Sequence, residues 1–199
     1  MSNLPIILAF DTSAAHCAAV LLRGNDVISR QFEEIGRGQV ERLFPLLEEV
    51  MGTVKWSDLT AIAIGIGPGN FTGTRIAVSA ARGLAMSLNI PAIGVSNFEA
   101  GAMVATPDND KITICIALPR EQFGTQVFSA GSPPIALSAP KISTKKTVGP
   151  IPFDVENIAR FAALRLAQNQ PIPRPAPLYL RPADAAPAKI KPPVILDDR

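Results

Sequence analysis

Along the first hundred positions, apolar residues fall into short strand-like runs and two long-period stripes. Ile6 to Phe10, His16 to Leu22 and Val27 to Phe32 read as three antiparallel strands, the last two joined by the turn signal Arg23-Gly24-Asn25-Asp26. From Val40 to Met51 the period becomes helical. Val40, Leu43, Phe44, Leu47, Val50 and Met51 form one stripe, with Glu41, Arg42, Glu48 and Glu49 opposite. Leu46 sits at the edge of that stripe, further round than one core face requires, and Pro45 on the polar side is expected to kink the helix. Ala61 to Ile66 then reads as a buried strand, Ile76 to Leu88 as a second helix and Ile90 to Val95 as another strand. Ser96 and Glu99 form a capping box that opens a third helix, ending near Val104.

Three strands followed by helix, strand, helix, strand, helix is the order βββαβαβα of a ribonuclease H-like lobe, the α/β unit duplicated in actin, Hsp70 and sugar kinases. Its strand and crossover portion implies a parallel section of sheet. The turn-rich stretch Thr106-Pro107-Asp108-Asn109-Asp110 closes this amino-terminal lobe, residues 1–105. Beyond it, Ile112 to Ala117 and Thr125 to Ala130 read as paired strands. Asp154 to Gln168 reads as a helix with Ile158, Phe161, Ala162 and Leu166 on one stripe. These elements define a reduced carboxy-terminal α/β lobe, residues 106–180. Residues 131–152 are too rich in proline, serine and lysine for an element to be assigned. Eight of the 19 prolines lie between Pro171 and Arg199, so that stretch is expected to be extended. Leu178-Tyr179-Leu180 is expected to dock as a strand, and residues 181–199 form a loose proline-rich tail.

Composition narrows the function. The chain has 199 residues, 47% hydrophobic and 18% charged, which suits a globular protein that buries roughly 70% of its unfolded surface. No apolar run reaches the length of a membrane span, and Met1 to Pro5 lack a basic region of a secretion signal, so a soluble, cytoplasmic protein is expected. Cys17 and Cys115 lie in separate strand-like runs and read as buried, reduced thiols. His16 is the single histidine and has no evident third partner, so neither a metal site nor a catalytic residue is assigned. A net charge of +2 is too small for an independent nucleic-acid binder, and Lys141, Lys145 and Lys146 read as a solvated loop.

The stretch Gly65-Ile66-Gly67-Pro68-Gly69-Asn70-Phe71-Thr72-Gly73-Thr74-Arg75 joins a strand to a helix. Glycines there serve either a tight turn or the approach of a phosphate to the first amides of the helix, and both readings stay open on shape. Standard motifs are not met. A dinucleotide fingerprint needs glycine where Asn70 stands, a Walker A loop needs a lysine that is absent, and no serine nucleophile is offered.

The second helix is small or apolar on nearly every side. Ile76, Ser79, Ala80, Gly83, Met86 and Ser87 form one side and Ala77, Ala81, Leu84 and Leu88 another, with Arg75 and Arg82 its only charges. One side suits the sheet. The other needs a cover, so a helix-bundle contact with a partner protein is expected through Leu43, Leu46, Leu47 and Val50 of the first helix and Ile76, Ser79, Ala80 and Gly83 of the second.

Ile7-Leu8-Ala9-Phe10-Asp11-Thr12-Ser13, Glu41-Arg42-Leu43, Gly67-Pro68-Gly69-Asn70-Phe71-Thr72-Gly73-Thr74-Arg75, Ile93-Gly94-Val95-Ser96 and Tyr179-Leu180-Arg181 together resemble the TsaB (YeaZ) family. The match is good over about the first hundred residues and sparse beyond. The resemblance implies an actin-like ATPase fold and a non-catalytic subunit of the bacterial machinery that places threonylcarbamoyl on N6 of the adenosine beside the tRNA anticodon. It implies pairing with a TsaD-like subunit that carries the metal and the transferase site, joined by a TsaE-like P-loop ATPase. ATP and metal then belong to those partners, tRNA is met through the complex, and the isolated chain forms a homodimer through the same helices. The family's glycoprotease label does not suit a chain with His16 alone.

Departures from the family pattern are Asn70 for serine, Gln39 for histidine, Ala117-Leu118-Pro119-Arg120 for an Asp-Ala-Arg sequence, and a shorter second lobe. Asp11-Thr12 is similar to the first phosphate motif of actin-like ATPases, but no second Asp-Gly signature is present. Asp11, Thr12, Gly67, Gly69 and Thr72 are therefore read as a degenerate phosphate site. The competing reading is an ATP-binding phosphotransferase of that superfamily, with a metallopeptidase disfavoured.

Overall fold

The computed structural model describes residues 4–118, 121–145, 153–169 and 171–181. The amino-terminal lobe contains β1 (Ile6–Asp11), β2 (His16–Arg23), β3 (Asp26–Glu34), α1 (Gln39–Met51), β4 (Ala61–Gly65), α2 (Phe71–Leu88), β5 (Ala92–Val95) and α3 (Asn97–Ala102). Its sheet has the order β3-β2-β1-β4-β5. β1, β2 and β3 are antiparallel neighbours, while β4 pairs parallel with both β1 and β5. That is the ribonuclease H-like arrangement the pattern predicts.

β1 is buried along its whole length and β2 along all but its last residue, because their near-continuous apolar runs face cores on both sides of the sheet. Alternation sorts the side chains. Leu8, Phe10, Cys17, Ala19, Leu21, Ile62 and Ile64 join the core beneath α1 and α2. Ile7, Ala9, Ala18, Val20, Ala61 and Ala63 join the core on the opposite face.

That opposite face is covered by α4 (Val155–Ala167), through Val155, Ile158, Ala159, Phe161 and Ala162. The helix was expected to build the carboxy-terminal lobe, and in space it completes the amino-terminal one. The reason is burial: a sheet face of Ile7, Val20 and Ile93 left open to water would forgo about 1.5–3 kcal/mol for each large side chain.

The second lobe is a small antiparallel sheet of β6 (Lys111–Leu118), β7 (Gln122–Ser129), β8 (Ile135–Ala136) and β9 (Lys141–Ser143). The last two strands lie in the stretch the sequence left unassigned. Phe98 and Ala102 of α3 pack with Ile112, Ile114 and Phe128 in a third core, and Leu178 and Leu180 rest against it. The chain from Pro171 to Arg181 is extended without forming a strand; the Leu178 amide donates to the Ile66 carbonyl at 2.8 Å, and Arg82 Nε donates to the Pro175 carbonyl at 2.8 Å. Lys146, Pro119, Arg120 and the rest of the predicted tail lie outside the described residues.

Two helices differ from their predicted form. α1 runs through Pro45 without a break, the proline standing on the exposed side. α2 begins at Phe71, five residues before the predicted Ile76, because the Asn70 side chain caps it by accepting from the amides of Thr72 and Gly73.

Candidate functional site: a sealed glycine loop beside an open apolar groove

The glycine loop folds back on the end of β1. A Cβ at Gly65 would stand 1.8 Å from Asp11 Oδ2, one at Gly69 2.2 Å from the Ser13 carbonyl oxygen, and one at Gly73 1.9 Å from the Thr12 carbonyl oxygen. The glycines are thus required by close approach of the chain to itself, and Gly67 also has φ +89°. Thr12 Oγ1 donates to the Gly73 carbonyl at 2.7 Å, and the Asn70 amide donates to the Ser13 carbonyl. From the other side, Asn97 Nδ2 donates to the Pro68 carbonyl at 3.0 Å.

These contacts decide what the loop can hold. The amides of Thr72 and Gly73, the donors a phosphate would use at this helix start, are taken by Asn70 Oδ1 at 2.9 and 3.0 Å. Asp11 and Thr12 are fully buried. Asp11 Oδ1 accepts from the Ser13 amide and hydroxyl and contacts His16 Nε2 at 2.7 Å. Its Oδ2 is buried without a hydrogen-bond partner among the described residues. His16 itself stacks on Phe153, with ring centroids 4.5 Å apart. Of the predicted phosphate candidates, only Gly69 and Thr72 reach solvent. With these amides taken and Asp11 and Thr12 buried, the residues do not fit a nucleotide phosphate. The Asn70 cap completes this lock.

Beside the loop, α1 and α2 leave a shallow groove of about 490 Å³. Its walls are Val40, Leu43 and Phe44 from α1 and Phe71, Thr72, Arg75, Ile76, Ser79 and Ala80 from α2. Val40 is 59% exposed, Phe44 47% and Phe71 43%. On α2, Gly73, Thr74, Ala77, Val78, Ala81 and Ala85 are turned to the sheet, which leaves Ser79, Gly83 and Met86 outward and Ile76 and Ala80 half-buried.

The α1 half of the predicted interface needs correcting. Leu43, Leu46, Leu47 and Val50 are all at most 1% exposed, enclosed by their own chain. Leu46, assigned to the surface, is fully buried in the core beneath α1 and α2, which Leu59 also joins and against which Val54 and Trp56 pack. The open edge of the apolar arc is the other one, at Val40 and Phe44. Those residues and Phe71 were not assigned to the interface, although their apolar character on a rim position was visible in the helical period.

Charge around the site is orderly. Arg42 donates to Glu33 and Glu49, and these hydrogen bonds hold both carboxyls below their usual range. Burial pushes the Cys17 thiol up to about 11. Arg75 lies 3.7 Å above the centre of the Phe71 ring and donates through Nε to the Tyr179 hydroxyl at 2.8 Å. Among the described residues no group of three or more His, Cys, Asp or Glu side chains is placed to hold a metal ion. No helix among them is long and apolar enough to cross a membrane.

A five-stranded 3-2-1-4-5 sheet with helices on both faces, joined to a second small sheet, defines an α/β protein of the actin-like, ribonuclease H-like class. Residues 30–118 match the family described as TsaD, tRNA N6-adenosine threonylcarbamoyltransferase. The tRNA threonylcarbamoyladenosine biosynthesis protein TsaB of Escherichia coli is 34% identical over 114 residues, 56% of this chain and 49% of that protein. Its namesake in Bacillus subtilis is 36% identical over 95 residues, 47% and 42% of the two chains. An uncharacterized protein of Mycobacterium tuberculosis is 27% identical over 215 residues, 96% of this chain and 99% of its own length. The solved structure of YeaZ from Pseudomonas aeruginosa has a TM-score of 0.74 at 22% identity, covering 89% of this chain and all of that one. A further Pseudomonas aeruginosa structure, described as an uncharacterized protein with similarity to peptidase YEAZ, gives 0.75 at the same identity and coverage. Over the matched segments the chain is similar in sequence to TsaB proteins, and its fold is that of the YeaZ structures. Matched segments span about half the length of the curated TsaB relatives.

Proposed function

We propose that this chain is a cytoplasmic, non-catalytic subunit of the assembly that makes threonylcarbamoyladenosine in tRNA, and that it works by docking its α1–α2 groove on a TsaD-like transferase subunit. The observation that carries the reading is the contrast between neighbours: the phosphate-like loop is closed by the chain's own atoms, while Val40, Phe44 and Phe71 stand exposed beside it. An apolar surface of this kind is a protein contact in waiting, since leaving it in water stabilises nothing. The names of the TsaB relatives and the TsaD match over residues 30–118 supply the chemistry of the complex.

In this reading ATP and the metal reside in the TsaD-like subunit and a TsaE-like P-loop ATPase, and tRNA is met through the complex. In isolation the same face takes a second copy of the chain. The test is to co-express the chain with the TsaD-like subunit of the same organism, isolate the complex, and measure threonylcarbamoyladenosine in tRNA with and without the chain. Formation of a complex and loss of the modified nucleoside when the chain is omitted is the expected result. Full modification without it, or transfer by this chain alone, would overturn the reading.

A further inference from the structure

Among the described residues that line the α1–α2 groove, Arg75 alone is charged. It is held from two directions. Phe71, one turn earlier on α2, carries the guanidinium over its ring at 3.7 Å from the centroid, and Arg75 Nε donates to the Tyr179 hydroxyl at 2.8 Å. Tyr179 is itself packed on Phe71, with ring centroids 5.1 Å apart. The two rings therefore fix the plane of the guanidinium before anything docks.

One edge of that plane is left unused. Stacking on Phe71 occupies a face and the Tyr179 bond takes the Nε–H, while Nη1 and Nη2 have no hydrogen-bond or carboxylate partner among the described residues. Arg42 on the neighbouring helix differs, because Glu33 and Glu49 of its own chain fill its fork. Parallel donors on a rigid fork match the paired oxygens of a carboxylate. A nucleic-acid phosphate is the other anion such a fork takes, but a phosphate backbone is bound by several cations together, whereas Arg75 shares its groove with Val40, Leu43, Phe44, Ile76 and Ala80. The lining favours a protein.

We propose that the segment of the TsaD-like subunit that fills the groove carries an aspartate or glutamate, and that Arg75 receives its carboxylate through Nη1 and Nη2. The inference rests on the groove being the docking face. Apolar contact with Val40, Phe44 and Phe71 then supplies the area of the interface, and the pair at Arg75 sets its register. A segment with no acid at that place is rejected, since covering Arg75 with apolar groups would leave its charge without a partner.

The test uses the full-length chain and the intact TsaD-like subunit. The Arg75→Lys variant places an amine at this point of the groove, and a carbodiimide joins amines to carboxylates in direct contact. Mass spectrometry of the treated complex is expected to show position 75 joined to an aspartate or glutamate of the TsaD-like subunit. Joining only to a second copy of this chain, or to no carboxylate of that subunit, would overturn the proposal. In parallel, Arg75→Gln, shown to be folded, is titrated with the subunit. Loss of a hydrogen-bonded charge pair should weaken binding by about thirtyfold or more and make the remaining affinity less sensitive to salt than that of wild type. Equal affinity counts against the pair, as does a variant complex that assembles normally but holds tRNA less tightly, which would assign Arg75 to phosphate. Should Ser79→Arg bind the subunit as tightly as wild type, the docking reading itself fails. Binding lost in Ser79→Arg but unchanged in Arg75→Gln would leave that reading standing and remove the carboxylate.

Discussion

Placing one methyl group on Gly73 separates a structural lock from a phosphate cradle. The added Cβ would stand 1.9 Å from the Thr12 carbonyl oxygen and 3.0 Å from its carbon, both backbone atoms of a fully buried residue. The end of β1 and the start of α2 must separate by on the order of 1–2 Å to restore van der Waals distance. Overpacking of this kind costs about 1–3 kcal/mol, and opening the contact also strains the Thr12 hydroxyl bond to the Gly73 carbonyl, about 0.5–1.5 kcal/mol. Alanine recovers up to about 1 kcal/mol in helix propensity, so Gly73→Ala is expected to destabilise the chain by roughly 2–3 kcal/mol. For a protein of this size that lowers Tm by about 4–12 °C. The assay is urea and thermal unfolding followed by far-UV circular dichroism and the fluorescence of Trp56, the single tryptophan. Gly83→Ala is the internal control: it is exposed, no heavy atom of the described residues lies within 4 Å of its added Cβ, and it should stabilise by about 0.5–1 kcal/mol. A Gly73→Ala protein as stable as wild type would refute the reasoning, because a loop shaped to receive a ligand would leave room for the methyl group in its absence.

Further outcomes follow from the same contacts. Asn70→Ala removes both hydrogen bonds of the α2 cap and should cost about 1 kcal/mol in urea unfolding, whereas Asn70→Ser, which keeps a capping oxygen, should fall within a few tenths of wild type. Leu46→Ala empties a fully buried site and should cost about 2–5 kcal/mol, while Phe44→Ser on the groove rim should change stability by less than about 1 kcal/mol and weaken association with the TsaD-like subunit. Cys17 should resist iodoacetamide at pH 8–9, where an ordinary thiol reacts. Because its folded pKa is raised to about 11, its contribution to stability is complete below the ordinary thiol value and is lost as pH climbs toward 11. Cys17→Ala should therefore flatten the alkaline limb of the stability profile, and an unchanged slope would remove Cys17 as its source.

Most of the amino-terminal lobe was legible because strands buried on both faces and helices buried on one leave simple periods in the sequence. The misses have local causes. α2 begins five residues early because Asn70 caps it, and the four glycines around that cap masked the helical pattern through Phe71-Thr72-Gly73. Leu46 looked surplus because the apolar arc of α1 is wider than one sheet face; that it is nonetheless fully enclosed in the core is a tertiary outcome that periodicity does not encode. α4 reads correctly as a helix, yet nothing in its own stripe says which of two sheets it covers. β8 and β9 have two and three residues, too short to rise above the composition of their loop.

The central claim is that the groove between α1 and α2 is where the TsaD-like subunit binds. Calorimetric titration of that subunit with the wild-type chain, and with Ser79→Arg and Val40→Glu variants shown to be folded, tests it most directly. A buried, unpaired charge costs about 3–5 kcal/mol, so each variant should weaken binding by about a hundredfold or more. Binding by both variants as tight as wild type would place the contact elsewhere on the molecule.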